Sequence, residues 1–325
     1  MQSKLLLGTL LAVGSLVACS SSQDAGADPS ADDGAQQSAW DAESVDNESR
    51  STHLWIVNRG IDILAKHQDL PAAARAVAVL NDQACRSQWQ QGLLDADFKA
   101  EYNNGETDLA LGADDLQVAL SKASWKSHFY DPDTQLNYKG ERSPTARTEA
   151  NSHLSRAKEN HIGSSDANAT ACYELGLTLH YFTDITQPMH ASNFTAVDRP
   201  AKLHSNLEGY SMTIQARYPL ADWSAQPSGE VDDFIQKSAK DSKALFPKGA
   251  QAVIDAYNKN EYKDGIWCRN IAAPSWRFLE QQHIDYKECW AGDAGVDAMV
   301  GDTLKAAQDH TAQFLFLVAS SLDPS

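Results

Sequence analysis

The chain has 325 residues, 42% of them hydrophobic, so it is long enough to bury a large core and is not disordered as a whole. Its formal net charge of −17, with 27 Lys and Arg against 44 Asp and Glu, argues against nucleic acid or anionic lipid heads as electrostatically steered partners. Neutral or zwitterionic partners remain open, and bound divalent cations would offset part of the charge.

Residues 1–19 read as an export signal. Lys4 precedes the apolar run "LLLGTLLAVGSLVA", which is too short to span a membrane as a mature helix. "LVAC", ending at Cys19, resembles a bacterial lipobox, so the expected product is exported: secreted, periplasmic, or lipid-anchored through Cys19 before release. Residues 20–39, "SSSQDAGADPSADDGAQQSA", hold four aspartates and no large apolar side chain, which predicts an acidic linker or removable pro-segment.

Beyond residue 50 the periodicity is helical nearly throughout. "HLWIVNRGIDILAKH" places Leu54, Val57, Ile61 and Leu64 on one helix face. "LPAAARAVAVLNDQACRSQWQQGLL" starts near Pro71 and continues through alanine-rich turns. "SWKSHFYDPDTQLNYKGERSPTA" breaks the pattern with Pro132, Gly140 and Pro144 and predicts an ordered loop. Helical spacing resumes in "RTEANSHLSRAKENH" and "ATACYELGLTLHYFTDI"; after a loop at "AVDRPAKLHSNLEGY" it returns in "VDDFIQKSAKDSKALF" and "DAMVGDTLKAAQDHTAQFLFLVASSL". With no strand alternation or βαβ rhythm, an all-α, single multi-helix domain over residues 40–325 is expected, without a separate C-terminal lipid-binding domain. Cys19 aside, Cys85, Cys172, Cys268 and Cys289 suggest two disulfides in an exported chain, with Cys268–Cys289 pairing by proximity and Cys85–Cys172 remaining.

One stretch demands chemistry. His180 and Asp184 lie four residues apart, so they share a helix face, and Pro188 ends that helix before His190. His204 and Glu208 repeat the four-residue spacing. Burying so many titratable groups on apolar helices is costly without a cation, and imidazole with carboxylate suits zinc.

"SAWDAE", "THLWIVNRGIDIL", "ADF", "SHFYDPD", "LTLHYFTDITQPMHASNFT" and "HSNLEGY" resemble, in order and with similar gaps, the bacterial zinc-dependent phospholipases C. The likeness is close from Trp40 to about Tyr210 and looser over the C-terminal helices. It implies an all-α domain of the zinc-dependent phospholipase C and single-strand nuclease type, holding three zinc ions. Carried over residue by residue, Trp40 matches the N-terminal tryptophan that binds zinc through its amine and carbonyl, and His53 accompanies it. Asp97, His128 and His180 match ligands of a second zinc, with Asp184 bridging to the first; His190, His204 and Glu208 match the third set. The other five histidines, His67, His153, His161, His283 and His310, match no motif and read as structural or surface residues.

Such a Trp40 ligand needs a free amine, so a processing protease is expected to cut at Ala39–Trp40. The activity implied is hydrolysis of phosphatidylcholine-like phospholipids at a membrane surface to diacylglycerol and phosphocholine, by a monomer, with no nucleic acid involved. Asp97 is the candidate to orient or deprotonate the attacking water, and Glu43, Phe98 and Trp125 are candidates for the headgroup. The alternatives are a zinc-dependent single-strand nuclease and a non-catalytic zinc-binding lipoprotein.

Overall fold

Five of the helices begin where a short polar side chain takes amide hydrogens that the first turn leaves over, and one begins instead at Pro71, which has no amide hydrogen to satisfy. The computed structural model describes residues 44–99, 102, 125–164, 168–195, 198, 203–258, 261–263, 266–268 and 290–322. Ser51 accepts from the Leu54 amide and opens α1 (Thr52–Ala65). The alanine-rich run is two helices, not one: α2 (Pro71–Asn81) stops at Asp82, whose carboxylate accepts from the Cys85 amide and caps α3 (Gln83–Phe98). An aspartate stabilises a helix start better than a helix interior, so the break falls there.

A Thr145–Thr148 capping box starts α4 (Ala146–Glu159), and Asn168 caps α5 (Ala169–Ile185). Then come α6 (Leu203–Ile214), α7 (Val231–Asn258) and α8 (Ala294–Ser320). Short 3-10 turns at Trp125–His128 and His190–Ser192 interrupt the connections. The fold is all-α as expected, with one addition: an antiparallel ribbon of β1 (Glu261–Lys263) and β2 (Ile266–Cys268). Strands of three residues are too short for alternation to stand out in the sequence. The expected Cys268–Cys289 bridge lies outside the described residues.

Helix α5 is the axis of the molecule. From Leu175 to Ile185 every residue is buried, among them Leu177, Leu179, Tyr181 and Phe182. It packs between α3 and α4, with α1, α7 and α8 closing the remaining sides. The apolar run at residues 314–319 packs α8 into this core, and Phe314 stacks on Phe182 with ring centres 4.0 Å apart. A second cluster joins Trp55 and Ile56 of α1 to Leu207 and Tyr210 of α6 and to Met299, Val300 and Leu304 of α8.

Helices α3 and α5 run parallel in one register. The Cys85–Cys172 disulfide joins them near their starts. One turn on, Gly176 meets the carbonyl of Trp89, and a turn beyond that the Leu93 carbonyl accepts from His180. Only glycine permits this approach: a Cβ on Gly176 would stand 2.1 Å from the Trp89 oxygen, and one on Gly92 would stand 2.3 Å from the Tyr173 oxygen. Backbone atoms cannot rotate away as side chains can. Gly176→Ala is therefore expected to cost about 3 kcal/mol, the upper end for overpacking, seen as a lower urea midpoint; an unchanged midpoint would show that the helices have room to part.

Candidate metal centre

The parallel register carries its consequence to the ends of α3 and α5. Asp97 sits in the last turn of α3 and His180 and Asp184 in the last two turns of α5, so all three face one interior space. The loop after Trp125 delivers His128, α1 delivers His53 from its first turn, and α6 presents His204 and Glu208 four residues apart. Three groups result: His53, His180 and Asp184; Asp97, His128 and His180; and His190, His204 and Glu208. Within each, one ligand-capable atom per residue lies within 4.8 Å of the others, and all eight side chains are buried. Trp40 and Glu43 lie outside the described residues.

Asp184 stands between the groups. Its Oδ2 is 2.9 Å from His128 Nδ1 and 3.4 Å from His180 Nε2, while its Oδ1 faces His53 Nε2 at 3.6 Å and His190 Nδ1 at 3.7 Å. Asp97 Oδ1 is 3.4 Å from His180 Nε2 and 3.8 Å from His128 Nδ1. In the third group Glu208 Oε1 is 2.8 Å from His204 Nε2 and 3.1 Å from His190 Nε2.

Three imidazoles are turned by oxygen atoms behind them. His180 Nδ1 donates to the Leu93 carbonyl at 2.8 Å, and His190 Nδ1 donates to the His128 carbonyl at 2.7 Å. His53 Nδ1 donates to the Thr183 hydroxyl at 2.5 Å, because that hydroxyl spends its own hydrogen on the Leu179 and His180 carbonyls. With Nδ1 protonated, each ring keeps its Nε2 lone pair for the interior. Phe129 stacks on His190 at 4.5 Å and meets His204 edge-on at 5.6 Å, which holds both rings in place. The loop behind His128 is itself pinned, since the Tyr130 amide donates to the His190 carbonyl and Arg147 joins the Tyr130 hydroxyl to Asp232.

Charge in the cavity calls for a cation. Burial alone would raise Asp184, yet His180, His128 and His190 hold it well below the usual carboxylate range. Glu208 behaves alike: burial opposes ionisation, but His204 and His190 bring it to about 2. Burial would lower His180, but Asp97 and Asp184 raise it to about 9, and Asp184 and Glu208 raise His190 against the same burial. Desolvation and the neighbouring His180 drop His53 to about 3. The carboxylates thus keep their charge in a space that draws positive charge to itself. Asp184 Oδ1 accepts no hydrogen bond despite full burial, an unusual state for a carboxylate oxygen and one that a metal ion would satisfy. The donor set of imidazole nitrogens and carboxylate oxygens fits divalent metal.

Of the expected headgroup residues, Phe98 follows buried Asp97 and is 55% exposed, the large hydrophobic side chain most open to solvent among the described residues. Trp125 is half-buried, its ring edge-on to His128 at 5.8 Å. None of the other described histidines joins a metal-competent group: His153 pairs with Glu174 at 2.6 Å, His67 packs on Trp223, and His310 lies near Asp241. Thr183, Phe129 and Gln187 were not singled out by sequence. Each sits inside the strings "SHFYDPD" and "HYFTDITQPMH", one to three residues from a ligand candidate, and that adjacency was the available signal.

No protein-family model matches the chain. A phospholipase C of Listeria monocytogenes is 31% identical over 261 residues, 78% of this chain and 81% of the relative. A phospholipase C of Bacillus cereus is 32% identical over 282 residues, 86% of this chain and 84% of the relative. Among solved structures, the alpha toxin of Clostridium absonum superposes with a TM-score of 0.51 at 19% identity, covering 85% of this chain and 64% of the toxin. That likeness shows the shared fold, and the chain spans about two-thirds of the toxin's length. Motif order, helical fold and about 30% identity to two relatives over more than three-quarters of the chain agree: the chain belongs to the family of bacterial zinc-dependent phospholipases C.

Proposed function

We propose that this protein hydrolyses phosphatidylcholine-like phospholipids to diacylglycerol and phosphocholine with three bound zinc ions. The observation that carries the reading is the trio of buried donor groups joined through His180 and Asp184. Imidazole and carboxylate together favour zinc over magnesium or calcium, which prefer all-oxygen sites. When bound, zinc acidifies water to a pKa of about 7 and neutralises charge on phosphate oxygens in the transition state. His53, with the amine of a Trp40 freed by cleavage after Ala39, would complete one site; Asp97, His128 and His180 would hold a second, with Asp184 between them. His190, His204 and Glu208 would hold the third.

The chain's own contribution to the chemistry is position and a proton acceptor. Asp97 is buried in the last turn of α3, facing the cavity, with the exposed Phe98 next in sequence, and there its carboxylate would orient the attacking water and take its proton. A water oxygen bonds to phosphorus, the bond from phosphorus to the glycerol oxygen breaks, and the proton accepted by Asp97 is passed to that leaving oxygen. Phe98 and Trp125, with Glu43, would face the choline ammonium, where aromatic faces contribute about 0.5–2 kcal/mol. The net negative charge suits a zwitterionic lipid surface better than a polyanion, and the relatives' phospholipase name disfavours the single-strand nuclease alternative. Export, by the signal at residues 1–19, brings the protein to such a surface; no helix among the described residues is long and apolar enough to cross a membrane.

Elemental analysis of active protein is expected to return three zinc ions per chain, and chelation to abolish phosphocholine release until zinc is restored. His180→Ala, which removes a residue shared by two groups, is expected to lose zinc and turnover together. Zinc uptake without turnover would instead support a non-catalytic zinc protein, and cleavage of single-stranded DNA without phosphocholine release a nuclease. Asp97→Asn is expected to lower kcat by about 10²–10⁴-fold, the range for a general base; a kcat within a few-fold of wild type contradicts the proton-acceptor role. N-terminal sequencing of the active form is expected to begin at Trp40, and a precursor uncleavable at Ala39–Trp40 should bind one zinc fewer.

A further inference from the structure

The chain leaves α5 through "TQPMH", and Pro188 prevents the helix from continuing. The break strands the amides of Met189 and His190, which the side chain of Gln187 collects. Gln187 Oε1 accepts from the Met189 amide and, at 3.2 Å, from the His190 amide. Two N–H groups pointing at one atom require an oxygen there, so the orientation of the side-chain amide is decided. Its nitrogen must then face the other way, and Nε2 donates to Glu208 Oε1 at 3.1 Å. Gln187 is 2% exposed.

From this geometry we infer that Gln187 is a positioning residue for the third metal-binding group, holding Glu208 and the backbone of His190 in one fixed relation. The inference rests on the reading of His190, His204 and Glu208 as ligands of one ion. Three nitrogens surround Glu208 Oε1: Gln187 Nε2, His190 Nε2 and His204 Nε2. An imidazole nitrogen that gives its lone pair to a metal carries no hydrogen for Glu208. Of these three, Gln187 alone still donates when the site is loaded, and it keeps the carboxylate from rotating out of place. Gln187 and Glu208 also line a cavity of about 10 Å³, room for one water at most, walled by Leu207, Met299 and Val300; the Ser211 hydroxyl there donates to the Leu207 carbonyl, and the Thr303 hydroxyl makes no hydrogen bond to Glu208.

The test is zinc affinity, measured by competition with a chromophoric chelator on the full mature chain, for wild type, Gln187→Met, Gln187→Ala and Glu208→Gln. Both Gln187 variants are expected to bind one of the three zinc ions about 10–100-fold more weakly, the range for a lost outer-shell partner, with the other two affinities unchanged. At saturating zinc, kcat on phosphatidylcholine should recover with KM unaltered, which a general packing defect would not give. If Glu208→Gln loses one zinc while both Gln187 variants keep wild-type affinities, this inference is wrong and the metal reading stands. If Glu208→Gln itself keeps all wild-type affinities, the assignment of the third group fails. Should neither Gln187 variant show the wild-type circular dichroism and cooperative unfolding, Gln187 is a folding determinant and the positioning role is likewise overturned.

Discussion

The contact between Gly92 of α3 and Gly176 of α5 sets the geometry on which the centre depends. Without side chains at these positions the two backbones touch, and the Cys85–Cys172 bond holds them in parallel register. Once that register exists, one pair per turn recurs at a separation of 87 residues: Cys85 with Cys172, Trp89 with Gly176, and Leu93 with His180. Asp97 and Asp184 inherit the same offset and arrive at one depth. A shift by one residue would rotate Asp97 about 100° around its helix and away from His180. Asp97, His180 and Asp184 are thus aligned by backbone and covalent contacts about one to three turns away from them.

Within the cavity, the opposing forces are desolvation and ion attraction. Burying three carboxylates next to five imidazoles is unfavourable unless positive charge joins them, and the direction of the shifts in Asp184, Glu208, His180 and His190 shows the site drawing that charge in. A bound ion would therefore couple metal binding to folding, because it would satisfy groups that the fold has already removed from water. Rigid second partners keep that coupling specific. Carbonyls of Leu93 and His128 and the Thr183 hydroxyl choose which ring nitrogen faces inward, so ligand geometry is written partly in main-chain atoms.

The buried assembly lies close to the surface at the end of α3. Asp97 is nearly enclosed, and the next residue, Phe98, is open to solvent. One step along α3 therefore spans from the ion-binding interior to a face that can meet lipid. The net charge of −17 suits a zwitterionic surface better than a polyanionic one.

Much was readable along the chain because its signals are local. Period-3.6 apolar patterning marked the helices, four-residue spacing put His180 beside Asp184 and His204 beside Glu208, and motif resemblance supplied Asp97 and His128 from far away in sequence. Local signals also misjudged one boundary, since the alanine-rich pattern ran smoothly across Asp82, where capping divides α2 from α3. What no local pattern holds is the identity of partners across space. That Gly92 and Gly176 touch, that Thr183 serves His53 some 130 residues earlier, and that Gln187 faces Glu208 follow from how helices pack. Sequence alone determined which residues could bind metal, because residue type and helical spacing are properties of a single segment. Tertiary structure decided which atom of each faces the ion, because that choice belongs to hydrogen bonds between segments that meet only after the core has closed.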